Sequence, residues 1–143
     1  MQETQLTPSE IASMSEVMAV YMGADMPSYI KNSNGKIVQC ILVYKGQRVR
    51  FIWIGNECSM YNEYSNGFEF HTSWDWLHEV WEKVREEETL FNDKNIWYLF
   101  GEHKSNVVQF MEENNILEAF KSLFDCITFI NQLKEQENGN KEI

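Results

Sequence analysis

The sequence predicts an α+β fold: an antiparallel meander of three or four strands, with an N-terminal helix and two later helices packed on one face. Three observations carry this. Residues 36–44 and 47–54 are strand-sized runs rich in Val and Ile, and Lys45-Gly46 between them is a hairpin turn. Apolar residues recur at helical spacing before this hairpin and again well after it. The chain has 143 residues, 43% of them hydrophobic, which suits one domain with a real core and is short for two. The domain is read over residues 1–134, with residues 135–143 a polar, frayed tail.

The first helix is punctuated at both ends. Thr7 caps it, Pro8 takes the first helical position, and Glu10 completes a Thr-x-x-Glu capping box. Ile11, Met14, Met18 and Tyr21 form its apolar face, with Val17 beside them, and Gly23 stops it. Residues 24–35, holding Pro27 and Asn34-Gly35, read as a loop ending in a turn. On the return strand of the hairpin Arg48 and Arg50 alternate with Val49 and Phe51, so one face meets a core and one meets water. Towards Ile52-Trp53-Ile54 both faces are apolar, and this end is read as covered on both sides. Gly55-Asn56 and Asn66-Gly67 bracket a further extended segment, and residues 68–71 read as a third strand.

The second helix opens at Thr72 or Ser73, with Asp75 completing a capping box and suiting the helix dipole. Trp74, Leu77, Trp81 and Val84 share one face, with Val80 adjacent, and this stripe is expected against the sheet. Its end, Glu86-Glu87-Glu88, is a solvated acidic cluster opposing the dipole. In residues 89–115 a strand at 96–100 and a strand or helical turn at 107–111 stay open, because periodicity does not separate them at this length. The last helix is capped by Asn115 with Glu118 three residues on. Leu117, Phe120, Phe124, Ile127 and residues 130–133 give its apolar stripe, widened by Ile116 and Leu123.

Charge narrows the function. Net charge is −10, from 12 basic and 22 acidic residues, with pI near 4.7. Phosphates repel such a chain, which argues against general nucleic-acid or anionic-membrane binding. The acidity is uneven: residues 1–55 carry net +1 and residues 56–143 carry net −11. The basic cluster Lys45, Arg48 and Arg50 at the hairpin tip reads as edge protection. Residues 1–7 lack the order of a signal peptide, and no run of about 18 apolar residues spans a bilayer, so a cytoplasmic protein is expected. The three cysteines, Cys40, Cys58 and Cys126, lie far apart, which speaks against a disulfide framework or a thiolate zinc site.

The segment Phe70-His71-Thr72-Ser73-Trp74-Asp75-Trp76-Leu77, followed by Val80 and Glu82-Lys83-Val84, resembles a group of small proteins encoded by phages and mobile elements of gut bacteria. Members of that group look like this: a short N-terminal helix, a few strands, an aromatic-His-x-Ser-Trp-(Asp/Asn)-Trp-Leu segment opening a helix, and a C-terminal helix ending near Trp-Tyr-Asn. Here the last helix matches over residues 116–131, with Phe129-Ile130-Asn131 in place of that ending, and Leu77-His78-Glu79-Val80 departs from the more usual Leu-Met-x-Val. The match covers roughly a quarter of the chain. It implies an architecture and a mobile-element context, and no activity.

Four residues are candidate binding positions: Trp76, His71, Asp75 and Trp53. His71, Asp75, His78 and Glu82 come at spacings of four, three and four, the step of a metal site on a helix. But His71 precedes the cap and Asp75 serves the helix N-terminus, so capping and solvation are the expected roles and no metal or cofactor is assigned. Trp76 points about 200° around the helix from Trp74, off the apolar face, where it either packs at an edge or offers an interface anchor. Cys58 with His71 or His103 is a thiol–imidazole pair without a supporting local signature. Gly-rich phosphate loops, Gly-x-Ser-x-Gly and His-Glu-x-x-His are absent from the sequence. The reading that follows is a small, acidic, non-catalytic interaction protein of phage or mobile-element type. Its acidic half or a Trp76 patch meets a host or viral protein, and a negative surface can imitate nucleic acid towards a basic partner. The alternative is a small-ligand binder or minor enzyme with a pocket lined by Trp53, His71 and Trp76. The oligomeric state is left open.

Overall fold

A computed structural model describes residues 5–62, 67–88 and 94–141, with side chains described over 5–62, 67–87 and 100–135. The fold is α+β, with α1(Pro8–Tyr21), a four-stranded sheet β1(Asp25–Lys31), β2(Ile37–Tyr44), β3(Gln47–Ile54) and β4(Glu57–Asn62), then α2(Trp74–Glu88), α3(Lys94–Glu112) and α4(Ile116–Lys141). The chain divides into two compact units, Met1–Ser73 and Trp74–Ile143, where the sequence reading has one domain over residues 1–134.

In the first unit the strands run in the order β1-β2-β3-β4, all antiparallel. Lys45 and Gly46 join β2 to β3, both at positive φ, 53° and 76°. That two-residue geometry matches the twist of the flanking strands, and glycine supplies its second half without a Cβ penalty. Thr7 and Glu10 form the predicted capping box: each backbone N–H donates to the other's side-chain oxygen at 3.1 Å. Gly23, at φ 88°, closes α1 with its N–H on the Val20 carbonyl and the Ala24 N–H on the Ala19 carbonyl.

Three sequence expectations are corrected here. Residues 25–31, read as loop, form edge strand β1; its irregular register between Asp25 and Ser28 accommodates Pro27, which has no N–H to give a ladder. The strand after the hairpin is β4, not residues 68–71. Gly55-Asn56 is a second two-residue turn pairing Ile54 with Glu57, which leaves Ile54 itself 77% exposed at the turn end. Phe68 and Phe70 are buried without being a strand: Phe68 meets Phe51 at 6.0 Å and Tyr44 at 6.3 Å, and Phe70 stacks on Tyr44 at 5.6 Å.

α1 and these phenylalanines cover the face of the sheet that carries Cys40, Leu42, Val49, Phe51 and Cys58, all buried. The buried arc of α1 is wider than the apolar periodicity marks, because small residues Ala12, Ser15 and Ala19 join Met18 and Tyr21 in it. Small side chains let the helix backbone approach the strands. The same approach lets the Ser9 hydroxyl accept the outward N–H of Cys58 on edge strand β4 at 2.9 Å.

The second unit is helical. α3 runs through residues 96–100, read as a strand, and through 107–111, read as a strand or helical turn, so three helices follow the sheet instead of two. It ends at Asn114, φ 55°, with the Asn114 N–H on the Met111 carbonyl and the Asn115 N–H on the Phe110 carbonyl. Asn115 then caps α4, its side-chain oxygen accepting the Glu118 N–H at 3.2 Å as the sequence predicts. α2 and α3 both pack on α4, whose inner face buries Phe120, Leu123, Cys126, Ile127 and Ile130. Phe100 of α3 stacks on Phe129 at 5.7 Å. Between α2 and α4, Lys134 Nζ meets both carboxylate oxygens of Glu87 at 3.0–3.1 Å, a half-exposed pair worth about 1 kcal/mol or less. The backbone of α4 stays helical to Lys141, beyond the point where the tail was expected to begin.

Candidate functional site

α2 begins at Trp74, one residue after Ser73. The Thr72 hydroxyl turns back to the Glu69 carbonyl at 3.5 Å, so the expected Thr72–Asp75 capping box gives way to a turn that ends the first unit. The buried positions of α2 are Trp76, Leu77, Val80 and Val84, which share an arc of about 100°. Trp74 and Trp81 are half-buried on its flank, with the Trp74 ring 6.2 Å from that of His78. The apolar face therefore lies rotated from the Trp74/Leu77/Trp81 stripe of the sequence reading, and Trp76 is 8% exposed, not an exposed anchor.

Opposite the buried arc, Asp75, Glu79, Glu82 and Glu86 are all exposed. Their spacings of four, three and four place four carboxylates in one stripe about 17 Å long. The second unit as a whole carries seven basic and fifteen acidic residues, net −8. Asp75 is thus brought together with Glu79, Glu82 and Glu86. The three glutamates were not singled out as interface residues, although their spacing carries the signal.

The other predicted site residues lie elsewhere. Trp53, half-buried on β3, stacks on Phe51 at 6.2 Å. His71, half-buried after Phe70, lines a recess of about 660 Å³ beside Cys58 and Ser9 on the β4 edge, without Trp53. Burial holds the His71 imidazole below its ordinary pKa. Burial, then the nearby Glu16 carboxylate, pushes the Cys58 thiol up to about 11, and burial, Glu16 and Cys58 push Cys40 to about 12. At pH 7 a thiol with a pKa of about 11 is thiolate in roughly one molecule in 10⁴, which makes Cys58 beside His71 a weak nucleophile. Among the described residues, no three His, Cys, Asp or Glu side chains gather as a metal ion requires.

Glu16 itself is held above its ordinary value of 4.5 by burial. Its stability contribution is fully present below that unfolded-state value and is lost as pH rises through the higher folded-state pKa. Glu16→Gln, which never ionises, should therefore raise the melting temperature at pH 7, with the difference from the parent vanishing as pH falls below 4.5. Melting curves of both proteins across pH 4–8 check this, and a difference independent of pH would contradict it.

The fold and the acidic helix face define the class: a small α+β protein with a solvent-facing stripe of carboxylates. Comparison with known proteins returns no match, neither a family model, nor a curated protein, nor a solved structure. No helix among the described residues is long and apolar enough to cross a membrane.

Proposed function

We propose that this chain is a small non-catalytic interaction protein of the phage or mobile-element type, whose α2 presents its acidic stripe to a basic surface of a host or viral protein. The observation that carries the reading is the alignment of Asp75, Glu79, Glu82 and Glu86 on the exposed side of α2. Charge density chooses the kind of partner. Four carboxylates in about 17 Å compare with roughly ten phosphates over the same length of duplex DNA. The stripe is too sparse to imitate a duplex by itself and suits a compact basic patch, where opposite charge speeds encounter and sets register. The raised Cys58 thiol makes a thiol–imidazole pair in the His71 recess a poor nucleophilic device at neutral pH, which favours this reading over the enzyme alternative.

The test is affinity capture from a lysate of the native host, comparing the parent chain with Glu79→Lys/Glu82→Lys/Glu86→Lys. These positions are exposed and leave the buried arc untouched, so the variant should fold. A basic protein retained by the parent, eluted as salt rises from 50 to 500 mM and lost at least tenfold with the variant, is the expected result. Identical partner sets for both chains, or recovery of a metabolite in place of a protein, would overturn the reading.

A further inference from the structure

Within the second unit, α2 and α3 both pack on α4 and leave a groove of about 710 Å³ between them. Trp81 and Arg85, four residues apart, line it from α2. Gly101, Lys104, Val108 and Glu112, at spacings of three, four and four, line it from α3. With Ser105 and Gln109 beside them, the α3 positions form one face of that helix, and no lining residue comes from a loop. The volume falls in the range of small-molecule sites.

We propose that this groove binds a small aromatic monocarboxylate. The half-buried Trp81 indole offers a flat apolar surface for a ring. Val108, 43% exposed, offers a second apolar contact across from it. At Gly101 an added Cβ would meet nothing within 4 Å, so the absence of a side chain there leaves open the space that a ring fills. Arg85 presents a planar fork that matches a carboxylate, and Lys104 a second cation.

Charge selects a monoanion. Arg85 and Lys104 against Glu112 give the groove a formal charge of +1, matched by one carboxylate. A dianionic phosphate would meet Glu112 and the net −8 of the unit around it. These groove residues lie on a different face of α2 from the acidic stripe, so the site stands or falls independently of the partner reading above.

The probe is naphthalene-2-carboxylate, titrated into the full chain while the five tryptophan indole N–H resonances are followed by NMR. Trp81→Phe assigns the resonance of interest by its loss. A saturable shift of that resonance is expected. Binding should weaken at least tenfold for the uncharged naphthalene-2-carboxamide, for naphthyl phosphate, and for the parent probe with Arg85→Gln. Gly101→Leu should also weaken binding at least tenfold without lowering the melting temperature, because glycine is a poor interior helix residue and the new side chain enters open space. This variant separates a blocked groove from a failed fold. A Trp81 resonance that stays fixed at millimolar probe would overturn the proposal. So would a carboxamide or phosphate bound as tightly as the carboxylate, or full binding by Gly101→Leu.

Discussion

Trp76→Ala is expected to lower the unfolding free energy by about 3–5 kcal/mol, while Trp74→Ala, two residues away, costs about 1 kcal/mol. Trp76 is 8% exposed and shares its arc with Leu77, Val80 and Val84, each fully buried. Truncating it removes a large apolar area and leaves a cavity that rigid neighbours refill poorly. Trp74 is half-buried on the flank, where its ring meets the exposed His78. Much of what it loses on truncation was already shared with water. Urea denaturation followed by circular dichroism measures both. The opposite order of the two costs would restore the Trp74/Leu77/Trp81 stripe as the inner face of α2.

Phe51→Ala should be as severe, at about 4 kcal/mol, against about 0.5 kcal/mol or less for Ile54→Ala on the same strand. Phe51 sits on β3, one of the two inner strands, wholly buried, with Trp53 at 6.2 Å and Phe68 at 6.0 Å. Its removal takes the central side chain out of an aromatic cluster that joins the sheet to the segment after β4. Ile54 is equally apolar and only three residues on, yet it projects from the Gly55-Asn56 turn into water. The same denaturation curves compare the two, and a comparable loss from both would mean that the far end of β3 is covered after all.

The spacing of Asp75, Glu79, Glu82 and Glu86 places them on one helical face, although the sequence reading took Asp75 as a cap and Glu86 as part of a solvated helix end. The groove was not legible in the sequence. Its residues come from two helices, and one wall belongs to α3, whose apolar runs at 96–100 and 107–111 are too short to declare a period. The Cys58–His71 neighbourhood was raised from composition, but the raised thiol pKa depends on burial and on Glu16 lying close, neither of which has a local signature.

The cap of α1, the first hairpin turn, the cap of α4 and its apolar period are local chemistry: Thr7 with Glu10, Lys45-Gly46 and Asn115 with Glu118 act within four residues of each other, and the sequence alone determined them. Which side of α2 turns inward, whether Pro27 stands in a strand, and where Phe68 and Phe70 go were decided by tertiary structure. The reason is that indoles spaced over two turns satisfy two neighbouring faces equally well by period. An edge strand, likewise, asks only half its amides to pair. Such ties are broken by the volume and the free hydrogen-bonding groups that distant segments bring, and those are properties of the folded chain.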